Sequence, residues 1–176
     1  MSKESQAYYL SRLKKAVIFR FLEDDLLTEL LDIAKLLKYK TDDVIISEGE
    51  LSPYLFAVLE GEVNVTVKET GGEEVFICAI DEGDVFGEAG IFIKARRTAS
   101  VVSAANTTLL RVHRKDLLGF IRAHPSAGIK ILMILIYNLL KKLRDANQEI
   151  AFERKSNLNQ EDIDAITGDL LRDDES

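Results

Sequence analysis

The chain has 176 residues, 47% of them hydrophobic, which suits one globular domain with a sizeable core. Its net charge of −7 is unevenly spread: Gln160–Ser176 holds seven acids against Arg172 alone, so that segment carries −6 and the rest of the chain −1. A near-neutral body with an acidic end excludes a sequence-blind DNA binder, and no apolar run reaches the roughly 18–20 residues that span a bilayer.

Residues 5–22 carry Ala7, Tyr8, Leu10, Leu13, Val17, Ile18 and Phe21 at helical spacing, and this N-terminal segment, 1–22, is set apart as helical. Glu23-Asp24-Asp25 opens a second helix, with acids suited to its dipole and an apolar stripe from Leu26 to Leu37. The pattern then turns to strands. Val44-Ile45-Ile46 is short and apolar, Tyr54–Leu59 reads as a buried strand, and Val63, Val65 and Val67 alternate with polar residues at period two. Gly71-Gly72 marks a hairpin, Val75–Ile80 returns, and Ala99–Ser103 and Thr107–His113 close the set. Short strands with a turn glycine at each joint predict a mostly β fold, an antiparallel jelly roll with helices flanking it.

Arg114–Ala123 reads as a short helix, and Pro125 sits where a long C-terminal helix can begin, running to about Lys155. Ile129, Leu132, Ile136, Leu139, Leu143, Ala146 and Ile150 form a heptad seam on it, and Met133, Tyr137 and Leu140 a second stripe. Two stripes call for two surfaces: the barrel mouth and the same helix of a second chain, so a homodimer is expected. The remaining 157–176 read as a linker, a weak amphipathic turn at Ile163, Ile166 and Leu170, and an acidic tail. The lone Cys78 excludes an internal disulfide and reads as a small core hydrophobe in its strand. A reducing cytoplasm is the expected home, and MSKESQAYYL lacks the apolar segment of a signal peptide.

The chemistry is concentrated in Gly83–Val101, GDVFGEAGIFIKARRTASV. Gly87 and Gly90 allow tight turns and close approach of a ligand. Glu88–Phe92 reads as one helical turn, whose free N–H groups would face an anion. An arginine returning on the next strand supplies forked donors for a phosphate. A carboxylate, exposed amides and an arginine around one hollow suggest a sugar hydroxyl and a phosphate held together.

FGE, an apolar turn and then R-T-A-S-V resembles the phosphate-binding cassette of the cyclic-nucleotide-binding domain family. Members include the regulatory subunits of the cAMP-dependent protein kinase, the catabolite activator proteins and the cyclic-nucleotide-gated channels. Gly49-Glu50, Tyr54–Leu59, Gly61-Glu62-Val63 and Gly83-Asp84 are similar to that family's turn glycines and strands, and the likeness runs from about Phe21 to about Ile150. The resemblance implies a binding domain over 23–156 that includes the C-terminal helix. It implies that Arg97 holds the cyclic phosphate, that Glu88 accepts the ribose 2′-hydroxyl, and that Gly87, Ala89 and Gly90 offer backbone amides. Thr98 would donate a hydroxyl, with Phe86 and Ala99 beside it, and Asn138 and Lys142 are the candidates to face the purine. Arg96 stands where the family often has proline, and Gly90 where alanine is more usual, which leaves cAMP and cGMP both open as ligand.

Catalysis finds no support. His113 and His124 lack partners at metal-ligand spacing, the glycine turn lacks the Gly-Lys-Ser/Thr ending of a Walker loop, and no nucleophile sits on a strained elbow. No cofactor is expected beyond the nucleotide ligand. After the long helix about 20 residues remain, too few for a helix-turn-helix module, so DNA is not an expected partner. The expected function is a cyclic-nucleotide sensor, read by an effector protein through movement of its C-terminal helix. The alternative is an interaction or dimerisation module that keeps the fold and binds no nucleotide.

Overall fold

The computed structural model describes the backbone of residues 3–69 and 71–173, and the side chains of 4–69 and 71–152. In chain order it has α1 (Lys3–Leu13), α2 (Asp24–Ile33), β1 (Ala34–Tyr39), β2 (Val44–Ile46), β3 (Tyr54–Glu60), β4 (Val63–Lys68), β5 (Glu74–Ile80), β6 (Val85–Phe86), α3 (Ala89–Phe92), β7 (Ser100–Ser103), β8 (Thr107–His113), α4 (Arg114–Ala123) and α5 (Pro125–Asp173). The strands form two four-stranded sheets, ordered β1-β8-β3-β6 and β2-β7-β4-β5. Every pairing is antiparallel, as the jelly-roll expectation required.

Two apolar clusters hold this arrangement. Ile46, Phe56, Val58, Val63, Ile80, Phe86, Val101 and Leu109 fill the inside of the roll. The other cluster lies under the helices, where Leu13, Phe19, Leu27 and Leu30 meet Leu55, Ala57 and Leu59. β3 therefore sends Phe56 and Val58 to one cluster and Leu55, Ala57 and Leu59 to the other. Burial on both faces explains why its sequence is an unbroken apolar run rather than an alternating one.

Several sequence expectations are corrected. The first helix ends at Leu13, and 14–22 continue as tight turns. There the Val17 N–H is drawn off to the Gly83 carbonyl at 3.0 Å, and three-residue turns such as Phe19 N–H to Ala16 O replace helical bonds. The second helix stops at Ile33 because the chain from Ala34 pairs with β8, setting Leu37 opposite Leu109 rather than on the helical stripe. Cys78 is exposed, not in the core, since β5 is the edge of its sheet.

The chain divides into two compact units, Met1–Leu135 and Ile136–Ser176. In the first, α5 seats Ala127, Ile131 and Leu135 in the helical cluster. That face belongs to neither expected stripe: Ile129 and Met133 are exposed at 60% and 66%. In the second unit the helix runs on to Asp173 rather than ending near Lys155. From Gly128 to Gly168 it holds no glycine or proline to stop it. The side chains expected to form the acidic tail, including Ile163, Ile166 and Leu170, lie outside the described residues. Among the described residues, no helix is long and apolar enough to cross a membrane.

Candidate functional site

Strand β6 delivers the chain to the site, and β7 carries it away. Between them Gly87 turns with φ +77°, in the left-handed region. A side chain at Gly87 would place Cβ 2.7 Å from the Tyr54 carbonyl oxygen and 3.2 Å from both Arg97 Nη atoms. At Gly90 the same addition would lie 2.8 Å from the Ser52 oxygen and 3.1 Å from both Nη atoms. The two glycines thus shape a notch, and the Arg97 guanidinium sits in it.

Arg97 is half-buried and held by the backbone around it. Nη1 donates to Gly87 O at 3.0 Å and Nη2 to Tyr54 O at 2.7 Å. Its Nε is buried and has no hydrogen-bond partner. Burial lowers the pKa of Arg97 from its usual value, and the charges of Glu50 and Glu88 act against that. The main chain is fixed too: Arg97 N–H donates to Glu50 O at 2.8 Å, and Gly49 N–H to Arg97 O at 2.8 Å. Arg96 Nη1 adds a bond to Gly49 O at 2.7 Å. The turn between β2 and β3 is therefore zipped to the two arginines.

Glu88 is 4% exposed, a carboxylate held inside the fold at the residue before α3. Its side chain does not cap that turn. Ala89 and Thr98 are exposed, and Ala99 is half-buried. These four residues and Arg97 lie along one short segment that leads out of the notch.

Two of the expected contact residues are engaged within the fold. Phe86 is 3% exposed and stacks on Phe56 with centroids 4.9 Å apart and planes 5° from parallel. Its ring belongs to the interior of the roll and offers no open face. The Gly90 N–H already donates to Gly87 O at 3.1 Å, so of the three expected amides this one is engaged within the turn. Asn138, half-buried, and Lys142, exposed, lie in the second compact unit.

The sequence reading did not find Tyr54 and Glu50. The Tyr54 carbonyl accepts from Arg97, while its ring lies 4.4 Å from the Arg111 guanidinium carbon. Such a backbone contact leaves no mark on residue type, although proximity to Gly49-Glu50 gave a partial signal. His113 and His124 are engaged elsewhere: His113 Nδ1 accepts from Lys115 N–H at 3.0 Å, and His124 Nε2 lies 2.8 Å from Glu29 Oε2. Among the described residues, no group of three or more His, Cys, Asp or Glu could hold a metal ion.

Comparison with known proteins places the fold in a family. Residues 36–124 match the family described as "Cyclic nucleotide-binding domain". The Cyclic AMP receptor protein of Thermus thermophilus is 30% identical over 122 residues, covering 68% of this chain and 55% of that protein. A cGMP-dependent protein kinase, isozyme 2, of Drosophila melanogaster is 33% identical over 113 residues, covering 62% of this chain and 12% of the kinase. The chain spans about half the length of the first and a small part of the second. In fold, it is similar to a cyclic nucleotide-binding domain from Methylobacillus flagellatus, with a TM-score of 0.69 at 23% identity, over 81% of this chain and 80% of that one.

Proposed function

The chain belongs to the cyclic nucleotide-binding domain family, and from that premise we propose that it is a cyclic-nucleotide sensor whose ligand is cAMP or cGMP. The observation that carries this reading is the Arg97 guanidinium, seated in a glycine notch with its buried Nε unpaired. A guanidinium has five N–H donors, and the bonds to Gly87 O and Tyr54 O engage one from each Nη. The remaining donors are enough for a phosphate oxygen pair. A phosphate would also supply the counter-charge that burial makes favourable there.

In this reading Arg97 holds the cyclic phosphate and Glu88 accepts the ribose 2′-hydroxyl. Ala89 and Gly87 supply amides, and Thr98 a hydroxyl. Asn138 or Lys142 meets the purine. Ligand draws the Gly87–Ala99 segment inward, α5 changes position, and an effector protein reads the change. No bond is made or broken: the work is done by differential binding. A second copy of the chain joins along α5 through Ile129, Leu132, Ile136, Leu139, Leu143 and Ile150. The exposure of Ile136, Leu143 and Ile150, 48%, 59% and 48%, supports that pairing.

Calorimetry with cAMP and with cGMP, on the wild type and on Arg97→Ala, tests the reading. Saturable binding should appear for at least one nucleotide. The variant should lose about 1.5–3 kcal/mol or more, which is roughly tenfold to a hundredfold in affinity. No heat with either nucleotide from a folded protein would sink the sensor and leave the interaction module.

A further inference from the structure

A cavity borders the same loop. It encloses about 510 Å3, within the ordinary size range of small-molecule sites, and its walls come from three places in the chain. The turn before β3 gives Leu51 and Pro53, the segment after α3 gives Ile93 and Ala95, and α4 gives Leu118. Leu51 and Ile93 are exposed at 67% and 57%, so this apolar surface faces solvent in the described residues.

Its charged groups all have one sign. Arg114, Leu118 and Arg122 recur every four residues and so share one face of α4, with the leucine between two guanidiniums. Lys94 stands on the opposite wall and Lys115 beside Arg114. Among the described residues, no carboxylate forms an ion pair with any of these four cations. Arg114 has an anchored main chain, its backbone N–H donating to Pro53 O at 2.8 Å, and its side-chain Nε is buried without a hydrogen-bond partner.

We propose that this cavity binds a small amphiphilic anion, with an apolar body over Leu51, Ile93 and Leu118 and a carboxylate or phosphate head paired with Arg114. An apolar floor alone would accept any oily molecule. The basic rim, with no acid among its lining residues, selects for an anionic end through charge-assisted hydrogen bonds. A purely ionic ligand would leave the floor wet. The cavity's lining includes neither Arg97 nor Glu88, and the proposal does not depend on the nucleotide reading. The cavity and the Arg97 notch share a wall, since Gly90 borders both.

Backbone NMR titration of the full chain tests it, with octanoate, octyl phosphate, octanol and inorganic phosphate as probes. The amides of Ile93, Ala95 and Leu118 should shift saturably with octanoate or octyl phosphate, and the stronger of the two identifies the head group. On the wild type, octanol and inorganic phosphate should each bind at least about tenfold more weakly than the better amphiphile, the worth of one charge-assisted bond. Arg114→Gln should weaken that amphiphile by roughly tenfold to a hundredfold. Octanol binding as well as octanoate, shifts scattered away from these residues, or a folded Arg114→Gln of unchanged affinity would each overturn the proposal. The acid-to-alcohol ratio decides on the wild type alone, should the variant fail to fold.

Discussion

At the scale of single residues, the site depends on what is missing from two of them. Gly87 and Gly90 carry no Cβ, and the space this leaves is occupied by the Arg97 guanidinium. Gly87→Ala should therefore act twice. It puts an L side chain at φ +77°, costing about 1–2 kcal/mol, and sets a methyl against Arg97 and the Tyr54 carbonyl. The expected result is a melting temperature lower by about 2–8 °C, with nucleotide affinity falling further than stability alone explains. Thermal melting and calorimetry on one sample measure both. The burial of Glu88 and the closeness of Arg97 to the glycine turn were legible in the sequence, because both charges stand among small and apolar residues around that turn. Phe86 was not, because a motif records residue type and not which way a ring faces. The Gly90 amide was not either, since a turn's internal hydrogen bonds are invisible in letters.

Among the elements, α1 is tied to the roll by charge as well as by its apolar face. Arg12 Nη1 and Lys15 Nζ reach Glu82 Oε1 at 2.6 and 3.0 Å, and Tyr8 O–H donates to Glu60. The hydrogen bond from Lys15, with further help from Arg12, holds the Glu82 carboxyl below its usual pKa against some desolvation. A lowered folded pKa stabilises the fold above the unfolded value near 4.3 and ceases to do so as pH falls through the folded one. Wild type should thus melt above Glu82→Gln at neutral pH, and the gap should close below about pH 4. Paired melting curves across that range check it, and a gap independent of pH would show that Glu82 acts by packing alone. Element types came through well where apolar and polar residues alternate in the sequence, as in β4. The boundary between α2 and β1 did not, because apolar residues at helical spacing continue from one into the other and only pairing with β8 decides where the helix stops.

For the whole molecule, the long helix presents apolar residues that the described chain leaves uncovered. In the second unit Tyr137, Leu140 and Leu143 are exposed at 66%, 60% and 59%, far more than a lone helix in water favours. Ile136→Lys combined with Leu143→Lys should halve the mass seen by light scattering while the melting of the roll stays unchanged. An unchanged mass would remove the proposed seam. The heptad spacing was readable from the sequence. The face that α5 turns to the roll was not, since three adjacent apolar rows offer no rule for which of them is used.

The sheet order carries one more implication. β2 and β6 are edges only three and two residues long, and β1 has Lys35 and Lys38 along it, three devices that discourage another strand from joining. β5 is a seven-residue edge with Phe76 and Ile77 exposed at 58% and 49%, guarded mainly by Glu73 and Glu74 where it begins. In concentrated solution, or during overexpression, those two acids stand against edge-to-edge aggregation. Replacing both with alanine should make stored protein turn cloudy at lower concentration than the wild type, as turbidity would show.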